Sequence, residues 1–526
     1  MEQVSDRHQG DLGGTLRKFD PIEAVVVRVT MSDATGHCSA TQHAVWMTLN
    51  LLCRAEGVVS RIELNCPEGI AILPGVVPFG RATDLRSRLV DAIREIDIVP
   101  IALADDNAVA EREIFINTIP EAMPRGSIMI TGAGWWGGAA FATAPPTDWT
   151  QVDLQNPLPI GPYIAATLAV ADVYLQIRDP RAETGSRAYG WNAWTSRSEV
   201  GSQTPAKVPL GLDLSGVALA GVGAVGTAWM ATLWATPGLS GAIAIVDSDQ
   251  QGVSISNLNR GLLFRRRDID LQKADVAAAA AEGTLRWRPI NGRFESSDTR
   301  PSVLVSAVDT NTARDAIQSR YPARTLSGST RDLRAETMVG GRPGDGACLR
   351  CYNPLEVKVS DAELRARVEG EGAGVHEELA RDVGISSEEL ANRLETPGCD
   401  AISDRLLGQL RAQYGDDTVP ARFAVGFTSA MAGILLAGET LRLMVGDELA
   451  GISDSSRVTF QFRRPESSIN GRRIYPRDAV CPKCDPAAPS HEIWANRYDG
   501  WTTKSSGDIV SDDHSQQRAE IGDQTR

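Results

Sequence analysis

The chain has 526 residues and a formal net charge of −14, with 42% hydrophobic and 23% charged residues. This composition is typical of a folded protein with two or three domains, and the negative charge argues against a nucleic-acid partner, because phosphate binding needs a basic surface. The N-terminus lacks the apolar core of a secretion signal, and no run of roughly 18 or more apolar residues occurs. We therefore expect a cytoplasmic protein without a membrane segment.

The first 185 residues look unlike the centre of the chain until the two regions are aligned. When residues 44–66 are placed over 225–247, the apolar pattern matches through one helix and one strand, and Gly57 falls on Gly238. A second match joins 159–177 with 421–444, each a helical pattern rich in small apolar residues. The matches predict an internal duplication; the alternative is the periodicity that any two α/β domains share.

Three other segments differ in composition. Residues 186–212 are rich in Ser, Gly, Arg and Pro, which predicts a linker. Residues 355–420 are charged and helical in pattern, so they form a predicted helical insert. The tail, residues 486–526, is polar, and we expect it to be partly disordered.

A glycine loop, GVGAVG at 221–226, follows one apolar run and precedes a helical pattern and a second apolar run, AIAIVDSD. This order predicts the β-loop-α-β unit that opens a doubly wound parallel sheet. Glycines let the backbone approach a phosphate closely, and the following helix N-terminus favours negative charge. The loop alone is equally typical of NAD and FAD sites, so it predicts a nucleotide without deciding which.

The polar residues after the next strands favour a triphosphate. They are Asp247, Asp249, Asn257, Arg260, Lys273 and Asp309. Asp247 suits ribose hydroxyls, Asn257 and Arg260 can reach phosphates, Lys273 adds a point charge, and Asp309 can hold Mg²⁺. Because the carboxyl ends of the strands meet at one edge of such a sheet, we expect one pocket suited to adenylyl transfer, in which charge builds on the α-phosphate and the pyrophosphate.

This constellation resembles the ThiF/MoeB family, which includes the ubiquitin-activating enzymes and the bacterial activators of sulfur carriers. The family pattern is a glycine loop, an acidic strand end, N-L-x-R, a lysine and an aspartate beside an asparagine. Here it reads GVGAVG, VDSD, NLNR, QKAD and VDTNTAR, in order, with a slightly long spacer, QQGVSIS, before NLNR. The resemblance implies ATP and Mg²⁺, with Gly221, Gly223 and Gly226 against the nucleotide and Arg260, Lys273 and Asp309 acting in catalysis.

Two CxxC pairs offer four thiolates, which suit a tetrahedral structural zinc. They are Cys348 with Cys351 and Cys481 with Cys484. Redox pairs and buried free thiols stay open as alternatives, whereas four thiolates leave no open position for a catalytic zinc. The family carries such a site, so the resemblance implies Zn²⁺ here.

Cys399 lies between these pairs, in ETPGCDAISDRL. The resemblance implies a nucleophile at this place, whose thiolate would attack the acyl-adenylate and form a thioester. A helix beginning in DAISDRL would lower its pKa. The alternative is a packed core cysteine, against which the polar surroundings argue.

The nucleotide-binding residues are missing from the first copy. In the alignment, Gly221, Gly223, Gly226 and Asp247 fall on Ala40, Gln42, Val45 and Cys66. We therefore expect a degenerate, inactive adenylation domain at 1–185 and an active one at 213–485, forming an internal pseudo-dimer that could assemble further. The family's active site usually borrows an arginine from the opposite copy, and Arg7 and Arg17 are the candidates.

The expected fold is α/β, with two Rossmann-like adenylation domains, a helical catalytic-cysteine insert and a four-cysteine zinc site. The expected function is ATP-dependent adenylation of the C-terminus of a ubiquitin-like protein, followed by a thioester on Cys399 and transfer to a conjugating enzyme, in a bacterial antiphage pathway. A sulfur-carrier or peptide-precursor adenylyltransferase without a thioester step is the alternative. A scaffold with a vestigial site is disfavoured by the intact pattern.

Overall fold

The computed structural model describes most of the chain between residues 24 and 492. The described residues are 24–105, 110–120, 124, 126–141, 149, 152–178, 188–201, 209–331, 333–341, 346–355, 368, 373–395, 425–446, 455–465, 467–489 and 491–492. They fall into two compact units, one within residues 1–353 and 422–526 and the other within 354–421. Cys399, Arg7 and Arg17 lie outside the described residues, so their roles stay predictions.

The larger unit begins with an eight-stranded sheet. Its strands are β1 Val25–Met31, β2 Val59–Asn65, β3 Ile101–Leu103, β4 Arg112–Ile116, β5 Ser127–Ala133, β6 Trp136–Phe141, β7 Tyr189–Asn192 and β8 Arg197–Ser198. The spatial order is β3-β2-β1-β4-β5-β6-β7-β8, parallel as far as β5 and antiparallel beyond it. Residues along β1 alternate between buried and half-buried, as expected when one face of a strand lies on the core.

A second eight-stranded sheet repeats this plan. Its strands are β9 Val217–Ala220, β10 Ala242–Asp247, β11 Arg286–Asn291, β12 Val303–Ser306, β13 Arg324–Arg331, β14 Arg334–Val339, β15 Ser456–Gln461 and β16 Gly471–Ile474. The spatial order is β11-β10-β9-β12-β13-β14-β15-β16, again parallel as far as β13 and then antiparallel. We call the first sheet with its helices the first half, and the second sheet with its helices the second half.

The helices of the larger unit connect and cover these strands. They are α1 Asp33–Gly36, α2 Ser39–Cys53, α3 Leu85–Ile96, α4 Ile160–Arg178, α5 Ala224–Ala235, α6 Lys273–Ala280, α7 Asn311–Gln318, α8 Leu349–Tyr352 and, late in the chain, α11 Gly426–Val445. Helix α3 shows local signals typical of its kind: Asp84 caps its first turn by accepting from the amide of Ser87 at 2.9 Å, and Asp97 ends it in the left-handed region. Helices α2 and α5 are almost wholly buried; α5 is largely apolar, whereas α2 also buries polar residues, among them Gln42 and Asn50.

The long apolar helices α4 and α11 lie at the centre of the larger unit. Both are long and apolar enough to cross a membrane by length and composition, yet 89% and 83% of their most apolar windows are buried inside the fold. Small residues allow close approach: a Cβ on Gly433 of α11 would lie 2.4 Å from the Cβ of Ala228 on α5. Their burial accounts for their composition, and the cytoplasmic location stays a prediction.

One hydrophobic core joins the two halves. The rings of Tyr174 and Phe427, on α4 and α11, have centroids 5.4 Å apart, and Trp191 of β7 meets Phe460 of β15 at 5.2 Å. Apolar burial of this kind is worth about 25 cal/mol per Å², so a shared core is a substantial part of the stability of each half. The predicted fold class, with two Rossmann-like sheets, is confirmed.

The structure differs from the predicted linker at 186–212. Strands β7 and β8 lie in this segment and complete the first sheet. The prediction relied on the Ser- and Gly-rich composition and did not account for two aromatic residues, Tyr189 and Trp191. Their side chains are buried in the core. Aromatic residues suit a pleated, covered surface, and here they outweigh the turn-forming residues around them. The other domain boundaries stay predictions.

The described residues of the smaller unit include two helices. Helix α9 spans Ala373–Val383 and α10 spans Ser387–Glu395, and between them Gly384 has a φ of 81°. The two helices share a small core with Val368, formed by Leu379, Ala380, Leu390 and Leu394. These helices fall within the predicted insert, 355–420.

Candidate functional site

The glycine loop connects β9 to α5, and packing requires glycine at two of its positions. Gly221 has a φ of 95°, and a Cβ there would lie 2.8 Å from the carbonyl carbon of Ala307. A Cβ on Gly226 would lie 2.1 Å from the carbonyl oxygen of Gly221. Neither position accepts a side chain without moving the backbone, so both residues set the tight turn and the close approach of α5 to the sheet.

Gly223 differs from these two glycines. A Cβ on Gly223 would have no protein atom within 4 Å, so packing does not account for glycine here. Gly223 is the N-cap of α5, and the space that a side chain at this position would enter is open. Backbone amides at a helix N-terminus attract anions, and only a glycine leaves them fully accessible. The arrangement can receive a phosphate at this point.

Asp247 ends β10 and holds the loop. Its Oδ2 accepts from the amide of Val222 at 2.6 Å, and its Oδ1 accepts from the amide of Asp249 at 2.9 Å. The sequence predicted a ribose-binding carboxylate here. The structure adds a role that the sequence did not reveal, because this carboxylate also connects the glycine loop to the turn after β10.

Asp249 and Lys273 form an ion pair beside this turn. Lys273 is the first residue of α6, is buried, and donates through Nζ to Oδ2 of Asp249. Burial alone would raise the pKa of Asp249, but hydrogen bonds from Lys273 and from the amide of Gln251 hold it below its usual range. The pair places a buried ammonium at the site, with a carboxylate that a phosphate could replace.

The NLNR segment forms a compact loop against α5. Asn257 caps a short 3-10 helix, Ile255–Asn257, by accepting from the amide of Ser254 at 2.9 Å. Arg260 donates to the carbonyl of Ser256 at 2.7 Å and to Oδ1 of Asn259 at 2.9 Å. These contacts fix the loop locally.

Two further contacts place this loop and Asp309 beside the glycine loop. The amide of Leu262 donates to Oγ1 of Thr227 on α5 at 3.3 Å. The amide of Ala307 donates to the carbonyl of Ala220 at 2.8 Å, next to Gly221. Asp309 follows two residues later, exposed, just before the N-cap of α7. The edge of the sheet therefore carries all three segments, as the parallel strands predicted.

The first half has a buried, hydrogen-bonded glutamine near the start of α2. Gln42, which falls on Gly223 in the alignment, is fully buried. Its Nε2 donates to the carbonyls of Gly36 at 3.1 Å and Ala71 at 3.0 Å, and its Oε1 accepts from the amide of Leu73 at 2.8 Å. In the second half, by contrast, a Cβ on the aligned Gly223 would meet no protein atom within 4 Å, so the two aligned positions differ in their surroundings. An inactive first half stays a prediction.

The four cysteines of the CxxC pairs form one cluster. Their Sγ atoms all lie within 4.8 Å of one another, with 3.9 Å from Cys348 to Cys351, 3.7 Å from Cys348 to Cys481 and 3.4 Å from Cys351 to Cys484. A tetrahedron with Zn–S bonds of about 2.3 Å has edges of about 3.8 Å, so the donor set fits a structural zinc. The hydrogen bond from the Cys348 thiol lowers the pKa of Cys351.

The cysteine cluster is attached to α7. Asp315 on α7 pairs with Arg350 at 3.6 Å and with Lys483 at 3.7 Å, one from each CxxC segment. Lys483 also donates to Oγ of Ser319 at 2.7 Å. A metal in this cluster would therefore steady the helix that begins just after Asp309.

Comparison with known proteins agrees with this fold. A model of the ThiF family matches residues 209–483, just over half of the chain. The uncharacterized protein y4jF of Sinorhizobium fredii (strain NBRC 101917 / NGR234) is 23% identical over 481 residues, covering 84% of this chain and 85% of that protein.

Two similar solved structures are those of E. coli MccB, one with MccA-N7isoASN and one with ATP. The first has a TM-score of 0.34 at 14% identity and covers 52% of this chain and 67% of that chain. The second has a TM-score of 0.34 at 14% identity and covers 53% of this chain and 69% of that chain.

The family match has a direct consequence for the activity class. Enzymes of this family use ATP, and the match supports an adenylyltransferase in the second half. The resemblance expected from the sequence motifs is confirmed at this level: the chain belongs to the ThiF family.

Proposed function

We propose that the second half adenylates the C-terminal carboxylate of a ubiquitin-like protein. The observation that carries this proposal is the contrast among the three loop glycines. Gly221 and Gly226 are required by packing, whereas Gly223 leaves open space at the N-terminus of α5. Open space at a helix N-terminus suits a phosphate.

In the first step, the triphosphate lies against the glycine loop, with Asp247 toward the ribose. Lys273 exchanges its carboxylate partner, Asp249, for phosphate oxygens, and Arg260 and Asn257 bind the remaining charge. A carboxylate oxygen of the protein substrate forms a bond to the α-phosphorus. The bond from that phosphorus to the bridging oxygen breaks, and pyrophosphate leaves with the electron pair. The product is an acyl-adenylate.

Mg²⁺ fits the chemistry of Asp309. This carboxylate is exposed at the end of the segment after β12, and carboxylate oxygens are preferred ligands of Mg²⁺. When bound, the ion would neutralise charge on the phosphate oxygens. The four-cysteine cluster would hold Zn²⁺ in a structural role, since four thiolates leave no position for a substrate.

In the second step, the thiolate of Cys399 attacks the acyl carbon. A thioester forms, the bond from that carbon to the AMP oxygen breaks, and AMP leaves. Transfer to a cysteine of a conjugating enzyme follows. The setting we propose is a bacterial ubiquitin-like conjugation pathway used against phage, and a relative from Sinorhizobium fredii that matches 84% of this chain is in keeping with a bacterial pathway.

A trapping assay tests the second step. The full chain is mixed with ATP, Mg²⁺ and a ubiquitin-like protein encoded nearby, and the mixture is resolved on a non-reducing gel. We expect a band that disappears with reductant and with Cys399→Ala, while Cys38→Ala, a matched control, keeps it. Adenylate without such a band would remove the thioester step and favour a sulfur-carrier or peptide-precursor adenylyltransferase.

A further inference from the structure

A fully buried arginine of the first half contacts the backbone of the NLNR loop in the second half. Arg54, just after the end of α2, donates through Nη1 to the carbonyl of Leu258 at 2.8 Å. Its Nη2 donates to the carbonyls of Leu262 at 3.1 Å and Phe264 at 2.9 Å. Three carbonyls from one short loop therefore converge on a single guanidinium of the opposite half.

The guanidinium is held in place from its own helix. Its Nε donates to Oδ1 of Asn50 at 2.7 Å, and Nδ2 of Asn50 donates to the carbonyl of Leu262 at 3.2 Å. Asn50 and Arg54 lie one helical turn apart, and both donate to the carbonyl of Leu262. The rigid fork of arginine matches several acceptors at once, which the flexible ammonium of lysine does not.

Arg54 keeps its charge in this setting. Burial lowers its pKa to about 10, while the neighbouring Cys53 and Asp268 oppose that change. Removing a charged group from water is costly unless its donors are satisfied, and here carbonyl oxygens satisfy four of them. The loop carbonyls, in turn, would be left buried without donors if Arg54 were absent.

The contacts surround the residues expected to bind phosphate. Leu258 lies between Asn257 and Arg260 in sequence, and the loop continues to the other two carbonyls within four residues of Arg260. A shift of this backbone would move the Arg260 side chain with it. Small displacements of a positioning group cost much in a reaction that depends on orientation.

We infer that Arg54, a residue of the first half, is a positioning residue for the NLNR loop of the second half. The role rests on the proposed adenylation by the second half. Because Arg54 lies in the first half, this inference gives that half a function in the reaction. It acts through Asn257 and Arg260 and does not touch the nucleotide.

The first measurement is hydrogen–deuterium exchange on the full-length chain without ligand. In Arg54→Met, we expect amides at 257–264 to exchange about tenfold faster or more, while those of β10 and α11 keep their protection. Arg472→Met is the matched control, because Arg472 donates to Oγ of Ser196 across the halves at 2.9 Å without contacting this loop. Unchanged exchange at 257–264 in Arg54→Met would overturn the inference.

The second measurement is ATP–pyrophosphate exchange by the same variants in the presence of the ubiquitin-like protein encoded nearby. We expect Arg54→Met to raise the KM for ATP about tenfold with a smaller change in kcat, and Arg54→Lys to restore part of it. Arg472→Met should lose thermal stability while keeping its KM. Where Arg54→Met does not fold, Asn50→Ala should shift both readouts in the same direction, and unshifted readouts would overturn the inference. Absence of pyrophosphate exchange in the wild type would refute the proposed adenylation. The hydrogen–deuterium exchange of amides 257–264 would still decide whether Arg54 positions the NLNR loop.

Discussion

The carboxylate of Asp247 and the backbone amide of Val222 are joined by a hydrogen bond of 2.6 Å. This bond ties the end of β10 to the middle of the glycine loop, and the other oxygen of Asp247 holds the amide of Asp249. The residue expected to bind ribose is therefore also a structural support for the loop that it serves. Loss of its side chain should affect both ligand binding and local order.

We predict that Asp247→Ala destabilises the fold and weakens nucleotide binding. Two charge-assisted hydrogen bonds to backbone amides are lost, each worth about 1.5–3 kcal/mol. Thermal unfolding should show a lower Tm, and ATP–pyrophosphate exchange should show a higher KM for ATP. Asp213→Ala is a control, since Asp213 accepts from the amide of Ser215 away from this site. An Asp247→Ala protein with the Tm and KM of the wild type would contradict this role.

The three loop glycines should respond differently to alanine. Gly221→Ala and Gly226→Ala bring a Cβ to within 2.8 Å and 2.1 Å of backbone atoms, so each should lower the Tm by several degrees or prevent folding. Gly223→Ala should keep the Tm, because its Cβ meets no protein atom within 4 Å, yet weaken ATP binding. Calorimetry with and without ATP separates these effects. Unimpaired ATP binding by Gly223→Ala would argue against a phosphate at this position.

The buried ion network of Glu439, Arg442 and Arg472 should make the free energy of unfolding fall as the pH becomes acidic. Glu439 on α11 accepts from Arg442 at 2.9 Å and from Arg472 at 2.5 Å. Burial alone would raise the pKa of Glu439, but the two guanidinium groups lower it below its ordinary value of 4.5. A lowered folded-state pKa gives stability that is present above the unfolded value and is lost as the pH falls through the folded value.

Glu439→Gln therefore should cost about 3–5 kcal/mol at neutral pH, because two buried cations lose their counter-ion. The variant should also lose less stability than the wild type as the pH falls below 4.5, the ordinary value. Urea unfolding at several pH values measures both effects. Glu68→Gln, at a surface ion pair with Arg86, should change little. Parallel pH profiles for wild type and Glu439→Gln would refute the network's contribution.

The cysteine cluster should contain one zinc per chain. We expect elemental analysis to find it in the wild type and to find much less in Cys348→Ser or Cys484→Ser, with a lower Tm in each. Removal of the metal by a chelator should loosen α7, since Asp315 connects that helix to both CxxC segments. Cys66→Ser should keep the metal, because Cys66 lies in the first half. A metal-free wild type with full stability would favour the redox or free-thiol alternatives.

The sequence predicted features that depend on local pattern. The glycine loop, the acidic strand end and the order of strands and helices follow from periodicity and motif spacing, and the two CxxC pairs come together as their chemistry indicated. The sequence alignment of Gln42 with Gly223 stays a prediction, and it gave no sign of the three hydrogen bonds that the Gln42 side chain makes.

Features that depend on distant packing could not be predicted in this way. The contacts of Arg54 join residues more than 200 positions apart, which no local pattern encodes. The same limit explains the error in the linker, where Tyr189 and Trp191 become strand residues only because a sheet edge and a core accept them. The linker prediction rested only on composition, in which the surrounding serines and glycines outnumber these two aromatic residues.

The most direct test of the account is ATP–pyrophosphate exchange by the full-length chain with a candidate ubiquitin-like protein. The account predicts exchange that needs the free C-terminal carboxylate of that protein, stops when its last residues are removed, and falls sharply in Lys273→Ala, while Lys483→Ala retains it. A chain that binds ATP yet exchanges pyrophosphate with none of the candidate carriers, or equally well with a truncated one, would contradict the central claim.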